Sequence, residues 1–207
     1  DVYKRQELGY ANKGAPADNH HAGSMHPEHD PSVGRLPYDP AKAKALMAEA
    51  GMADYEHELI SIDDDWRKNT TDAVAAQLRD AGIKVKRTIL PGSTFWNDWA
   101  KYPFSSTNWN HRPFAVQVWG LAYRSGEAWN EMGWSNAEFD ALLAEANAIA
   151  DADKRRVVAG KCQALIAEEG CTIQPYWRSL YRSHSSNTVC DMHIAYHAHV
   201  YKWGFKA

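Results

Sequence analysis

Tryptophan is concentrated in one part of the chain, between residues 95 and 134. The tryptophans in this segment are Trp96, Trp99, Trp109, Trp119, Trp129 and Trp134. A buried indole must find an acceptor for its N–H, so protein cores prefer aliphatic side chains. The density therefore favours a surface that grips the apolar or planar parts of a ligand. Packing is nevertheless the simpler expectation for Trp96, Trp99 and Trp134, which lie at predicted helix or cap positions.

The residues after Trp109 carry polar groups that could orient such a ligand. The Arg112 guanidinium can grip a carboxylate or phosphate with two parallel N–H groups, and it repels an ammonium. A structural ion pair is the alternative role for Arg112, and a plain surface position is the alternative for Arg124. The predicted ligand-binding residues are Trp109, Asn110, His111, Arg112, Trp119, Tyr123 and Arg124.

Four histidines, His20, His21, His26 and His29, lie close together and raise the possibility of a metal site. Their spacing matches no zinc-protease or zinc-finger pattern, and the ion would have to order a loop. Ordinary loop histidines are the favoured interpretation, and a nickel- or zinc-binding protein that uses this cluster is the alternative function. The same discount applies to His193, His197 and His199 in the tail.

Catalytic motifs are not found in the sequence. There is no G-x-S-x-G elbow, P-loop or dinucleotide-binding glycine pattern. The acidic run from Asp63 to Asp65 is explained by a strand-to-helix link in which Asp65 lies near an N-cap. We therefore predict a protein that is not an enzyme and has no cofactor.

The three cysteines occupy different contexts. Cys162 shares an apolar helical stripe with Val158 and Ile166, which predicts a small buried side chain. Cys171 and Cys190 flank the last predicted strands and could be bridged in an oxidising compartment. The sequence leaves that bridge open.

The elements that must position these residues begin with a well-delimited helix. Asp39 can cap it, Pro40 fits its first turn and Gly51 can end it. A strand is predicted over 57–62, a helix over 66–81 and a strand over 83–90. Short links between them imply a right-handed crossover and parallel strand pairing.

The later elements follow from weaker signals. Ser93 is predicted to cap a short helix that ends near Tyr102, and 105–110 is predicted as a strand. Ser135 and Glu138 form a capping box before a further helix. Another helix is predicted over about 153–169, and late strands are predicted over 172–176 and 178–184. Residues 7–37 show no periodicity, and so long a bare loop is either functional or packs on something outside this chain.

Several of these segments also carry a family resemblance. The run P-Y-D-P-A-K-A-K-A-L-M-A-E-A-G (37–51), A-G-I-K-V (81–85), W-S-N-A-E-F-D-A-L-L (134–143) and D-A-D-K-R (151–155) follow one another in order. Together they resemble the family 5 solute-binding proteins that serve peptide and nickel ABC importers. Peptide-binding members place an aspartate soon after the tryptophan, to neutralise the ligand's amino group. Arg112 stands there in this chain, which points instead to an anionic group, a sugar or an opine-like compound.

The resemblance implies an α/β fold, the periplasmic-binding-protein-like distal lobe (type II, cluster C), with a C-terminal segment that returns to a missing lobe. It divides the chain into a leader (1–37) that lines the cleft, the lobe itself (38–186) and a return segment (187–207). We expect a fragment of a monomeric, extracytoplasmic (periplasmic) protein. Its implied function is to capture a peptide-like or other small polar solute between two lobes and deliver it to an ABC permease.

Composition is consistent with that expectation. The chain has 207 residues, of which 44% are hydrophobic, enough for one good core. A net charge of -3 is too small to favour a nucleic acid or an anionic membrane as partner.

Overall fold

The computed structural model describes residues 14–181, 183–191 and 199–206. Its strands are β1 (Gly14–Pro16), β2 (His57–Ile62), β3 (Val85–Leu90), β4 (Ser105–Ser106), β5 (Tyr176–Arg178), β6 (Thr188–Val189) and β7 (Gly204–Phe205). Its helices are α1 (Pro40–Glu49), α2 (Asp65–Asp80), α3 (Gly92–Asp98), α4 (Ala115–Ala122), α5 (Ala137–Ala148) and α6 (Ala152–Glu169), with a 3-10 turn at Val200–Lys202. The chain therefore has the mixed α/β composition that the sequence predicts.

The central sheet has the order β3-β2-β4 and is parallel throughout. Helix α2 connects β2 to β3, so the predicted parallel crossover is confirmed. Leu59 and Val85 pack on Ala75 of α2, on one face of the sheet. Ile60 and Ile62 pack on Phe95 of α3. The predicted third strand is shorter than expected, because only Ser105 and Ser106 pair with β2.

Helix ends follow the predicted signals in some places and not in others. Asp39 accepts a hydrogen bond from the Lys42 amide (2.8 Å), and Gly51 has a φ of +69°, so both ends of α1 are confirmed. Helix α5 is capped by Asn136 rather than Ser135, and its side chain accepts from the Phe139 amide at 2.9 Å. A cap must place its oxygen against the free amides of the first turn, and the chain brings Asn136 there.

Of two further cap predictions, one was confirmed and one was wrong. Asp65 lies next to an N-cap, as predicted, because Asp64 caps α2 and accepts from the Arg67 amide at 3.1 Å. Ser93 lies inside α3, which begins after Pro91 with no side-chain cap and ends at Asp98 rather than near Tyr102.

Helices α4, α5 and α6 enclose the larger hydrophobic core. Helix α4 was not predicted, since its residues were interpreted only as part of an aromatic ligand surface. Trp119, Phe139, Leu143 and Ile166 are fully or almost fully buried in this core. Cys162 is also buried there, as predicted, and burial raises the pKa of its thiol to about 12.

Residues 14–30 of the leader pack on this same lobe, so packing on something outside the chain does not account for this part of the loop. Strand β1 pairs antiparallel with β5, and Glu28 is completely buried. The backbone of the leader is held by side chains of α6. Gln163 donates to the Glu28 carbonyl (3.0 Å), and Arg156 donates to the Pro27 carbonyl (2.9 Å).

A glycine inside α6 explains how the leader comes so close. A Cβ atom at Gly160 would lie 2.6 Å from a carboxylate oxygen of Asp30. Glycine is usually unfavourable in a helix interior, by about 1 kcal/mol relative to alanine. Glycine is favoured at position 160 because Asp30 of the leader occupies the space that a larger side chain would need.

The return segment behaves differently. Strands β6 and β7 form an antiparallel pair, and none of the described residues 188–191 and 199–206 is buried. Tyr201 and Phe205 are 78% and 81% exposed. His193 and His197, named above as possible ligands, lie outside the described residues, and so does part of the predicted strand over 178–184.

Candidate functional site

A cavity of about 740 Å³ lies between the leader, the start of α2 and the segments that follow β4 and α6. In parallel α/β sheets, ligands bind outside the carboxyl ends of the strands, where loops diverge. The segment from Thr107 to Arg112 leaves the carboxyl end of β4, and Trp66 follows the carboxyl end of β2. Both contribute to the lining, so the cavity has the expected place for a ligand site in such a sheet.

Trp109 is fixed at the centre of an aromatic cluster. Its indole N–H donates to Glu131 Oε1 at 2.8 Å. Its ring makes edge contacts with Trp99 and Trp129, at centroid distances of 6.1 and 5.9 Å, and with His21 at 6.4 Å. Trp109 is therefore held in one orientation before any ligand arrives.

Glu131 is a cavity residue that sequence reasoning missed. Its second carboxylate oxygen accepts from the Thr107 hydroxyl at 2.6 Å. Burial raises the pKa of Glu131, and the hydrogen bonds from Thr107 and Trp109 counteract this effect. The sequence offered no signal for it, because Glu131 is far from Trp109 along the chain and stands in a loop without a motif.

Arg112 lines the cavity with its guanidinium poorly engaged. Its Nη1 lies 3.4 Å from the Asn110 carbonyl and 3.5 Å from the His111 carbonyl, both long contacts. Among the residues that the structure describes, no carboxylate forms an ion pair with Arg112. Its own carbonyl lies 3.1 Å from His26 Nε2, which anchors this segment to the leader.

The predicted site residues thus divide into two groups. Trp109, Asn110, His111, Arg112 and Tyr123 all line the cavity. Trp119 does not, because it is completely buried in the core and its indole donates to the His20 carbonyl at 3.0 Å. Arg124 also lies outside the lining and forms an ion pair with Glu127. We therefore leave Trp119 and Arg124 out of the site proposed below.

The packing expectation for the other tryptophans holds in two of three cases. Trp99 packs on the sheet core around Phe95, and Trp134 packs on the helical core. Trp96, in contrast, is 41% exposed.

The histidine cluster is split between two sides of the leader. His21 and His26 line the cavity, where His21 Nδ1 lies 3.1 Å from the Tyr123 hydroxyl. His26 stacks on His111 at a centroid distance of 5.4 Å. Burial lowers the pKa of His21 to about 3 and that of His26 to about 4, so both rings are neutral at pH 7. His20 and His29 instead lie beside Asp18.

Cys171 also lines the cavity, and it is not bridged to Cys190 in this structure. Burial raises the pKa of the Cys171 thiol to about 12, so the thiol is protonated at neutral pH. A protonated thiol is a poor nucleophile and contributes here as an apolar wall. The bridge that the sequence left open is absent.

The sequence matches a family model described as bacterial extracellular solute-binding proteins, family 5, middle region, over residues 5–130. No match is found among curated protein sequences. None of the described helices is both long enough and apolar enough to cross a bilayer.

Solved structures of similar fold come from the same group of proteins. The oligopeptide-binding protein AppA of Bacillus subtilis, determined with a nonapeptide, aligns with a TM-score of 0.83 at 18% identity and covers 100% of this chain. HbpA2 of Haemophilus parasuis aligns at 0.79 with 20% identity and also covers 100% of this chain. DppA of Helicobacter pylori, determined with the peptide STSA, aligns at 0.69 with 17% identity and covers 86% of it. The aligned region spans only 45%, 43% and 35% of those three chains, respectively.

Proposed function

The chain belongs to the bacterial extracellular solute-binding proteins of family 5, and from that premise we propose that it forms one lobe of a receptor that captures a peptide-like or other small polar solute. The observation that carries the proposal is the cavity around Trp109, whose indole is preset by Glu131 at 2.8 Å. Preorganised aromatic walls with a few convergent polar groups are typical of small-molecule sites. Because these side chains are already ordered before the solute binds, less of the contact energy is lost in ordering them.

The side chains of the cavity suggest which parts of the solute they contact. The ring of Trp109 offers a flat apolar surface for a side chain or a planar group. Arg112 offers a bidentate donor for a carboxylate or phosphate. We assign Asn110, His111 and Tyr123 to the same site. A solute with a free carboxylate next to an apolar portion satisfies both contacts.

A second lobe is the natural complement of this arrangement. The return segment carries exposed aromatic and aliphatic side chains, among them Val200, Tyr201 and Phe205. The aligned structures are more than twice as long as the region that they share with this chain. We propose that the return segment packs on a second lobe, that the solute is enclosed between the two lobes, and that residues 38–186 with the leader form one of them. Closure would follow a hinge motion.

The cellular role follows from the family. Its members are extracellular solute-binding proteins, and AppA and DppA are named for peptide binding and ABC transporter association respectively. We propose an extracytoplasmic location, a monomeric receptor and delivery of the solute to an ABC permease. Such a receptor binds and releases its solute without chemical change, which accords with the absence of a catalytic motif in the sequence.

Calorimetric titration tests the two-lobe proposal. Trialanine, tetraalanine and pentaalanine would be titrated into the 207-residue chain and into the full-length protein that contains it. We expect the longer protein to bind at least one of them more than tenfold tighter, since each further ~1.4 kcal/mol of contact is a factor of ten. Equal affinities would contradict the two-lobe arrangement. Failure of all three peptides with both proteins would contradict a peptide-like solute.

A further inference from the structure

Asp18, His20 and His29 form a cluster in the leader, outside the lining of the cavity. One potential ligand atom from each residue lies within 4.8 Å of the other two. The imidazole rings of His20 and His29 are 6.2 Å apart between centroids and inclined by 38°. None of the three residues belongs to the cavity lining.

His20 has an unsatisfied polar atom in this cluster. The residue is completely buried, and its Nε2 has no hydrogen-bond partner within the described part of the chain. Leaving a buried polar atom unpaired is unfavourable, so such an atom points to a missing partner. Its Nδ1 accepts only a long hydrogen bond from the Ala22 amide, at 3.4 Å. Coordination of a metal through Nε2 would move the ring proton to Nδ1 at the expense of that one long contact.

The backbone holds His20 firmly in place. Asn19 and His21, on either side of it, both have positive φ values, 60° and 54°, which non-glycine residues seldom adopt. Gln174 holds both residues. Its backbone N–H donates to Asn19 Oδ1 (2.7 Å), and its side-chain Oε1 accepts from the His21 backbone N–H (3.0 Å). Of the two neighbouring histidines, His21 lines the cavity and His20 does not.

From this geometry we propose that Asp18, His20 and His29 bind a divalent transition-metal ion, with zinc as the reference ion. Two imidazole nitrogens and a carboxylate oxygen suit zinc, nickel and copper, and they do not suit calcium or magnesium. In a tetrahedral zinc site, ligand atoms about 2.0–2.1 Å from the metal lie roughly 3.3 Å apart. The cluster would contract by roughly 1.5 Å on binding, and water would take the fourth position.

Asp18 is already oriented for this role. Its Oδ1 accepts from Arg35 Nε at 2.8 Å, which leaves the carboxylate a second oxygen for the metal. Hydrogen-bonded carboxylates of this kind are typical of metal sites, where the outer partner fixes the ligand. Because all three ligands belong to the leader, the ion would close a loop between residues 18 and 29 and stabilise the segment that carries His21 and His26 to the cavity.

The test is a titration of Zn²⁺ into the EDTA-treated 207-residue chain, by calorimetry and in competition with a chromophoric chelator. We expect one site with a Kd on the order of 1 μM or tighter. His29→Ala and Asp18→Asn should each weaken that site by at least about tenfold, since loss of even an outer-sphere partner weakens metal sites by 10- to 100-fold. Both substitutions lie at half-buried positions, so the chain should still fold; circular dichroism would verify this.

Two controls identify the site. Arg35→Gln removes the outer partner of Asp18 but no metal ligand, so binding should weaken by about 10- to 100-fold but remain tighter than in Asp18→Asn. His184→Ala removes an exposed histidine elsewhere and should leave the Kd unchanged. Substitution of Co²⁺ should give visible bands of a four-coordinate N/O site without a thiolate charge-transfer band, which excludes the three cysteines. Undiminished binding by His29→Ala and Asp18→Asn, a thiolate band, or no zinc binding at all would overturn the proposal.

Discussion

The leader and the return segment both lie outside the central sheet, yet they relate to the lobe in opposite ways. The leader buries six of its described residues against the lobe, namely Ala17, His20, Ala22, Gly23, His26 and Glu28. The described residues of the return segment bury none. Their ion pairs differ in the same way. Glu28 and Arg155 meet at 2.7 Å with side chains 0% and 11% exposed, whereas Asp191 and His199 meet at 2.7 Å with side chains about one quarter exposed.

This difference teaches how a segment without regular secondary structure can still belong to a core. A buried backbone needs partners for its polar groups, and the leader finds them in side chains. Gln163 and Arg156 of α6 donate to its backbone carbonyls. The buried Glu28 carboxylate in turn accepts from Arg155 and from the Ala115 amide, at 2.7 and 3.0 Å. The return segment pairs its backbone locally, through β6 and β7, and leaves the Tyr201 and Phe205 side chains exposed.

Substitution of Glu28 should have the largest effect on stability. Glu28→Ala removes the carboxylate from a buried pair and leaves the Arg155 guanidinium without it. We expect the free energy of unfolding to fall by about 3–5 kcal/mol, the usual result of breaking a buried pair from one side. Urea denaturation followed by circular dichroism measures it. The matched change in the return segment, Asp191→Ala, breaks an exposed pair and should lower stability by less than about 1 kcal/mol. Equal effects would abolish the contrast between the two segments.

The helical core on which the leader packs provides the next prediction. Leu143 is 2% exposed, whereas Leu142, its neighbour on α5, is only partly buried. Leu143→Ala should destabilise by about 2–5 kcal/mol because it leaves a cavity, and Leu142→Ala should cost clearly less. Denaturant melts of the two variants, which have the same composition, provide the comparison. A larger loss for Leu142→Ala would show that the faces of α5 are assigned the wrong way round.

The smallest expected effect belongs to the return segment. Phe205→Ser should change the stability of the 207-residue chain by no more than about 0.5 kcal/mol, because the side chain is 81% exposed. In the full-length protein that contains this chain, the same substitution should lower the melting temperature if Phe205 is covered by the second lobe. Thermal melts of both pairs decide the point. An unchanged melting temperature in the longer protein would leave Phe205 without the packing role that we propose.

Local chemistry accounts for what was predictable in this fold. Helix α1 was predicted because Asp39, Pro40 and Gly51 act within one turn of the helix ends. The β2-α2-β3 unit was predicted because the spacing of its apolar residues changes between a period of two residues and one of 3.6. Helix α4 was not predicted. Its apolar residues are nearly continuous along the chain, and no side chain caps its first turn. The position of the leader could not be derived either, since it depends on partners more than a hundred residues away, such as Gln163.

The candidate site shows the same limit. The sequence drew attention to Trp109 and Arg112 through residue type, and both line the cavity. Residue type could not separate Trp119 from Trp109, because a core indole and a ligand-facing indole both need an acceptor, and only tertiary contacts say which acceptor each one finds. Glu131 acquires its significance entirely from the hydrogen bond that it accepts from Trp109.

The central claim is that the Trp109–Arg112 segment binds the carboxylate end of a solute, and a paired titration tests it most directly. Trialanine and its C-terminal amide would be titrated into the full-length protein that contains this chain, as wild type, Arg112→Ala, Arg112→Lys and the control Arg124→Ala, with a thermal melt of each. We expect the free acid to bind more tightly than the amide, and Arg112→Ala to weaken the free acid by about 2 kcal/mol, roughly 30-fold. Arg112→Lys should restore part of that affinity, because an ammonium cannot reproduce the two-pronged contact. Arg124→Ala should have no effect. Unchanged affinity in Arg112→Ala together with a lowered melting temperature would assign Arg112 to the structure and contradict the claim.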